Sequence, residues 1–142
     1  MKKWLAVVVL SLVSSLNALA DGSKVQLGSY CPVAYVSANK AVPGSAQFTS
    51  EVDGKVYAFI NEGAKKAFDA EPQKYTKAIQ YEAWCATGLA MGKKIPSDPT
   101  LFSQVGGKVY FFSSKGAKDA FDKSTAEFIG KADAQAKKLL TN

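Results

Sequence analysis

Cys31 and Cys85 are the two cysteines of this 142-residue chain, and their thiols have the strongest claim on chemistry. Two cysteines in an exported chain of this size pair as a disulfide by default. Such a bond would close a loop of about 55 residues, worth roughly 3–4 kcal/mol on the chain-entropy account. The same two residues as thiolates suit a soft metal ion, Cu(I) above all, which two sulfur ligands hold without further help. Pro32 follows Cys31 directly. If a short helix starts there, Pro32 takes its first position and Cys31 its cap, where the helix dipole favours the thiolate. Met91 is the candidate third ligand, although six helical residues place it about 120° away from Cys85; packing in the core is its plainer role. Zinc fits less well, because a closed zinc site takes four ligands. The spacing is not Cys-x-x-Cys, which disfavours thioredoxin-like chemistry and leaves a slow redox-sensing bond as a third reading.

What the chain lacks narrows the field further. There is no histidine, which removes Ser-His and Cys-His nucleophile pairs, histidine metal sites and c-type haem attachment. General acid–base work would need a strongly shifted carboxylate or lysine, and no pair of acids stands out, so the chain reads as a non-enzyme. All 18 basic residues are lysine. Without the arginine fork, and with lysines spread along the sequence, nucleic acid is not an expected partner.

The elements that must position the cysteines come from a repeat. Residues 52–75 and 105–128 are identical at 12 of 24 positions at an offset of 53, including Gly54/Gly107, Tyr57/Tyr110, Phe59/Phe112 and Phe68/Phe121. Val42-Pro43 matches Ile95-Pro96 at that offset, whereas Cys31 and Cys85 correspond at 54, one residue of slippage. Residues 47–52 and 55–60 flank Asp53-Gly54, and residues 101–105 and 108–112 flank Gly106-Gly107; both read as β-hairpins. Within the strand, Val56, Ala58 and Ile60 share one face and Tyr57 and Phe59 the other, so both faces are predicted to be covered. Asn61 and Ser114 are equivalent helix caps, followed by Ala64, Ala67, Phe68 and Ala117, Ala120, Phe121 at helical spacing. Pro72 closes the first helix. Residues 81–91 read as a short helix carrying Cys85, residues 37–46 and 92–100 as loops, and 128–140 as a terminal helix lying across the body. The aromatics near the cysteines (Tyr30, Tyr35, Tyr81 and Trp84) belong mainly to the core, with polar tips suited to the rim of a small pocket.

Lys2 and Lys3, the apolar run to Leu16, and Ala18-Leu19-Ala20 have the form of a signal peptide cleaved after Ala20. The run is too short and too rich in serine for a membrane anchor. The expected mature chain, 21–142, carries 16 lysines against 12 acids, a net charge of +4, and is long enough for one domain with its own core. Its expected location is periplasmic or secreted.

Several strings together resemble the YHS-domain family, in particular its small exported members, from Gly28 to about Gln135. They are Tyr30-x-Pro32-Val33-Ala34-Tyr35, the Lys40–Phe48 loop, Ala67-Phe68-Asp69-Ala70-Glu71-Pro72-Gln73-Lys74-Tyr75, Cys85-Ala86, and Gly130–Ala134. The resemblance implies an α+β fold of two tandem hairpin-plus-helix (ββα) units, about 28–80 and 81–135, packed as one domain. It also implies metal binding through cysteine. Departures bear on the second point: Ala34 stands where the metal-associated form has cysteine, and Ile60 and Ser113 stand where a second one often follows. Cys85 matches the exported members' single cysteine, whereas Cys31 replaces their usual aspartate. The expectation is a soluble exported binding protein that takes copper, as Cu(I), through Cys31 and Cys85. The alternative is a disulfide-stapled module that binds a small molecule or a protein and no metal.

Overall fold

The computed structural model describes residues 25–141; the expected signal peptide lies outside them. The fold is mixed α+β. Strands β1 (Ser45–Val52) and β2 (Lys55–Phe59) form one antiparallel hairpin, followed by helices α1 (Glu62–Ala70) and α2 (Pro72–Thr76). The short helix α3 (Ala86–Ala90) precedes a second antiparallel hairpin, β3 (Asp98–Val105) and β4 (Lys108–Phe112), and helices α4 (Lys115–Lys123) and α5 (Thr125–Leu139) complete the chain. Among the described residues no helix is long and apolar enough to cross a membrane.

Each hairpin turns on two residues with positive φ, Asp53 (53°) and Gly54 (77°), then Gly106 (57°) and Gly107 (79°). That backbone twists with the flanking strands, which is why Asp-Gly and Gly-Gly were legible as turns. Both first strands begin earlier than their sequence pattern suggests. Ser45 pairs with Phe59 and Asp98 with Phe112, and in each hairpin the register then breaks before Thr49/Ala58 and Phe102/Phe111. The residues inside each break interrupt the alternation by which a strand is recognised.

The strand faces are covered on both sides, as their composition predicts: Val56, Tyr57, Ala58 and Phe59 are all buried, as are Val109, Tyr110, Phe111 and Phe112. Ile60 lies outside β2 and is exposed. Tyr57 and Phe59 pack on Phe68 of α1, with ring centroids 5.2 and 4.9 Å apart, and Tyr110 and Phe112 pack on Phe121 of α4 at 5.1 and 4.9 Å. The opposite faces do different work. Val109 and Phe111 join the buried Tyr35 in a cluster that draws on residues from both ends of the chain, including Leu27, Ile79 and Ala83.

The helices start where caps are available. Asn61 Oδ1 accepts the Ala64 N–H at 2.8 Å, and Ser114 Oγ accepts the Ala117 N–H at 3.1 Å. Of the first helical stripe, Ala64 and Phe68 are buried but Ala67 is exposed. Pro72 both follows the end of α1 and opens α2 at its first turn. Helix α5 packs chiefly on α3 and also touches α4, rather than crossing the whole body, and buries Ala132 completely.

Candidate functional site

Two strained turns build the site. Leu27, Gly28 and Ser29 have φ of 60°, 59° and 72°, and Tyr81, Glu82 and Ala83 have φ of 55°, 52° and 65°. Each triplet is a single turn of left-handed helix, a conformation that costs an L-residue roughly 1–2 kcal/mol. Five of the six residues are not glycine. The turns close with the same bond: the Tyr30 N–H reaches Leu27 O at 3.0 Å, and the Trp84 N–H reaches Tyr81 O at 2.9 Å. They stand 54 residues apart, the offset that relates Cys31 to Cys85.

Packing on every side holds this backbone in place. Before each turn, Val25 bridges to Val56 and Ile79 to Val109, both in parallel. After each turn, the Cys31 N–H reaches Val42 O (2.9 Å) and the Cys85 N–H reaches Ile95 O (3.0 Å). The last turn carbonyls are also engaged: Ser29 O accepts from the Gly44 N–H at 2.8 Å, and Ala83 O from the Ser97 hydroxyl at 2.5 Å. Tyr81 turns its ring onto Tyr110 and donates its hydroxyl to Asp133 Oδ1 at 2.6 Å. Burial, reinforced by that hydrogen bond, raises the Tyr81 phenol well above its usual range.

Between the turns lies an open cleft of about 480 Å³, whose walls include Leu27, Glu82, Trp84, Pro96, Pro99 and Phe111. A smaller pocket of about 150 Å³ shares Gln26, Leu27 and Glu82 with it and continues past Lys55 and Tyr57. Lys94 Nζ stands 4.8 Å from the centroid of the Trp84 ring, and Lys55 Nζ is 3.9 Å from Glu82 Oε1. The larger cleft combines apolar walls, an indole and one carboxylate, the usual make-up of a small-molecule site, and the smaller pocket adds Asp53 and Lys55.

The candidate residues divide sharply. Trp84 lines the cleft. Tyr35 does not: it is fully buried, edge-on to Phe102 and Phe111 at 5.0 Å each, with its hydroxyl donating to Pro99 O at 2.5 Å. Burial is the main reason its phenol titrates above the usual range. Tyr81 belongs to the turn's anchorage, and the half-buried Tyr30 packs beside Tyr35 at 6.5 Å.

Cys31 and Cys85 are both buried and free, and the structure does not bring them together. Each is buried in its own cluster. Cys31 lies with Tyr57, Phe59 and Phe68, and Cys85 with Tyr110, Phe112 and Phe121, on the helix-facing sides of their own hairpins. Contact between the two ends of the chain runs instead through Tyr35, Val109 and Phe111. Neither the expected disulfide nor a shared two-thiol ion is therefore formed in this arrangement.

Both cysteines stand at the start of a short helix. Helix begins at Pro32, with the Tyr35 N–H reaching Cys31 O at 3.4 Å. Cys85 also caps with its side chain, Sγ accepting the Gly88 N–H at 3.4 Å while its thiol donates to Ser113 Oγ at 3.5 Å. Residues 81–83 are correspondingly not helical in the right-handed sense, and the helix begins at Ala86. Met91 ends that helix and is 62% exposed, which places it neither with Cys85 nor in the core. Among the described residues, no group of three or more His, Cys, Asp or Glu side chains is gathered for a metal ion.

Leu27, Glu82 and Ser97 are site residues that composition and spacing do not single out. Extending the 54-residue offset upstream of the cysteines aligns Leu27-Gly28-Ser29 with Tyr81-Glu82-Ala83, and Gly28 is the one sequence sign of a left-handed turn there. No family model, curated protein or solved structure matches this chain.

Proposed function

We propose that this is an exported, non-catalytic binding protein, released after Ala20 into the periplasm or the medium, that takes a small organic ligand in the cleft between its two left-handed turns. In this reading the mature chain is one domain of two tandem YHS-like ββα repeats, and the repeats serve to set the two turns against each other. The observation that carries it is the cleft itself, bounded by two strained and equivalent backbone turns with Trp84 in its wall. Backbone strain of this kind concentrates at binding sites and persists because the surroundings hold it. The separation of Cys31 and Cys85 favours this reading over copper bridged by both thiols.

Trp84 is the one tryptophan of residues 21–142, so its emission reports directly on the cleft. A fragment library screened by amide NMR against protein 21–142 should perturb Leu27, Glu82, Ala83, Trp84 and Ser97 together and change Trp84 fluorescence. Binding confined to other surfaces, or none, overturns the proposal. An anaerobic Cu(I) titration against a competing chelator tests the copper reading. Wild type and the Cys31→Ser, Cys85→Ser double variant should show equal affinity.

A further inference from the structure

We infer that the cleft selects an organic ammonium ion, with Glu82 as its counter-charge and the Trp84 indole as its second contact. The inference rests on the cleft being a ligand site and specifies its chemistry. Glu82 is the one charged residue among those that line the larger cleft, and it lines the adjoining pocket as well. The remaining walls are mostly apolar: Val25, Leu27, Pro96, Pro99 and Phe111 suit a hydrocarbon body. An anionic ligand would meet the Glu82 carboxylate there, offset only by the weak, exposed contact with Lys55, whereas a cation meets that carboxylate and the Trp84 indole.

The chain's own lysines show that both groups accept an ammonium. Lys94 Nζ sits over the Trp84 ring at 4.8 Å, and Lys55 Nζ approaches Glu82 at 3.9 Å. The Lys55 and Glu82 side chains are 45% and 53% exposed, and an exposed pair at that distance is weak. These lysines act as stand-ins on flexible stems, and a ligand that carries its ammonium on an apolar body adds burial that they cannot supply. The net positive charge of the mature chain opposes cations at long range, but physiological salt screens it beyond about 8 Å.

A second observation singles out Glu82. Its place in the first turn is held by Gly28, the residue that adopts positive φ without strain. At φ 52° the second turn carries a glutamate instead, in the lining of both cavities. A carboxylate that is held in a strained backbone position and aimed at a cleft has a use there that a glycine would not serve.

The test uses choline and its uncharged isostere 3,3-dimethylbutan-1-ol as probes of protein 21–142, read by Trp84 emission and amide shifts. Choline should bind at least about tenfold more tightly than the alcohol, the scale of one cation–π contact plus a partly screened charge. Glu82→Gln should shrink choline's advantage to what the Trp84 contact alone supplies and leave the alcohol unchanged. Lys55→Gln and Lys94→Gln should each raise choline affinity severalfold by removing a competitor, an effect that a merely structural role would not produce. If the two probes bind alike in wild type, a comparison that needs no variant, the ammonium inference fails while the cleft reading stands. If neither probe reaches the cleft, the inference fails, and a silent fragment screen then removes the cleft reading too.

Discussion

Glu82 and Gly28 hold equivalent places in two turns of the same hand, and only glycine suits that backbone. Glu82→Gly should therefore stabilise the fold by about 1 kcal/mol, read as a higher urea midpoint at unchanged m-value. The exposed contact with Lys55 that it removes weighs little against this. An unchanged or lower midpoint would mean that Glu82 is not strained in solution. The thiols make a second residue-scale case. Cys31 and Cys85 are 0% and 1% exposed, so neither should react with an aromatic disulfide reagent in the native protein, and both should react once it is unfolded. One reactive thiol, or none after unfolding, would show a bond that this arrangement lacks. Cys85→Ala should cost about 1–2 kcal/mol through loss of the α3 cap, and Cys85→Ser less, because a hydroxyl still accepts from Gly88.

Between elements, the same tether joins each hairpin to its helix. The Ser50 hydroxyl donates to Asp69 and that of Ser103 to Asp122, while Lys65 and Lys118 bond to the same carboxylates. Partial burial acts to raise both carboxyls, but the hydrogen bonds from lysine and serine outweigh it and hold them below their ordinary value. A depressed folded pKa sets the sign. The stabilisation is complete above the unfolded value of about 3.9 and is lost as pH falls through the folded one. Both side chains are more than a third exposed, so the amount is small. Denaturation at pH 6 and pH 3 should show a smaller acid loss in the Asp69→Asn, Asp122→Asn double variant than in wild type. Gly44 makes a tighter contact: a Cβ there would stand 2.6 Å from the Ala58 carbonyl carbon. Gly44→Ala should cost roughly 1–3 kcal/mol by overpacking, and a near-neutral result would mean that the segment before β1 shifts freely.

For the molecule as a whole, cohesion between the two ends of the chain passes through Tyr35, Val109 and Phe111. Tyr35 reaches across to Pro99 O, 64 residues away, and Gln104 Nε2 reaches Val36 O at 3.1 Å. If this cluster makes one cooperative unit, Phe111→Ala should lower stability by about 3–5 kcal/mol. Amide exchange should then accelerate equally in β1–β2 and β3–β4, whereas acceleration confined to β3–β4 would indicate two independent units. Tyr35→Phe should cost about 0.5–1.5 kcal/mol, the net worth of one hydrogen bond.

Local signals were sufficient where local physics decides. Asp53-Gly54 and Gly106-Gly107 determine their turns because few other residues tolerate that backbone. Asn61 and Ser114 determine where helices start, and the apolar strands announce burial on both faces. Even the one-residue slippage between the repeats has a local home. Cys31 to Val42 spans one residue more than Cys85 to Ile95, and the first segment contains a π-helical turn, Ala34–Ala38, where the second has the α-helix Ala86–Ala90. An inserted residue is what such a turn accommodates. Tertiary packing decided the rest. Five non-glycine residues hold left-handed φ against their own preference because bridges and buried side chains fix them from both ends. The cysteines, matched in sequence, lie apart in space because each packs between its own hairpin and helix, Cys31 with Phe59 and Phe68 and Cys85 with Phe112 and Phe121. Symmetry in a sequence equates positions; which of them meet depends on the faces that pack, and here the facing positions shape a cleft around Glu82 and Trp84.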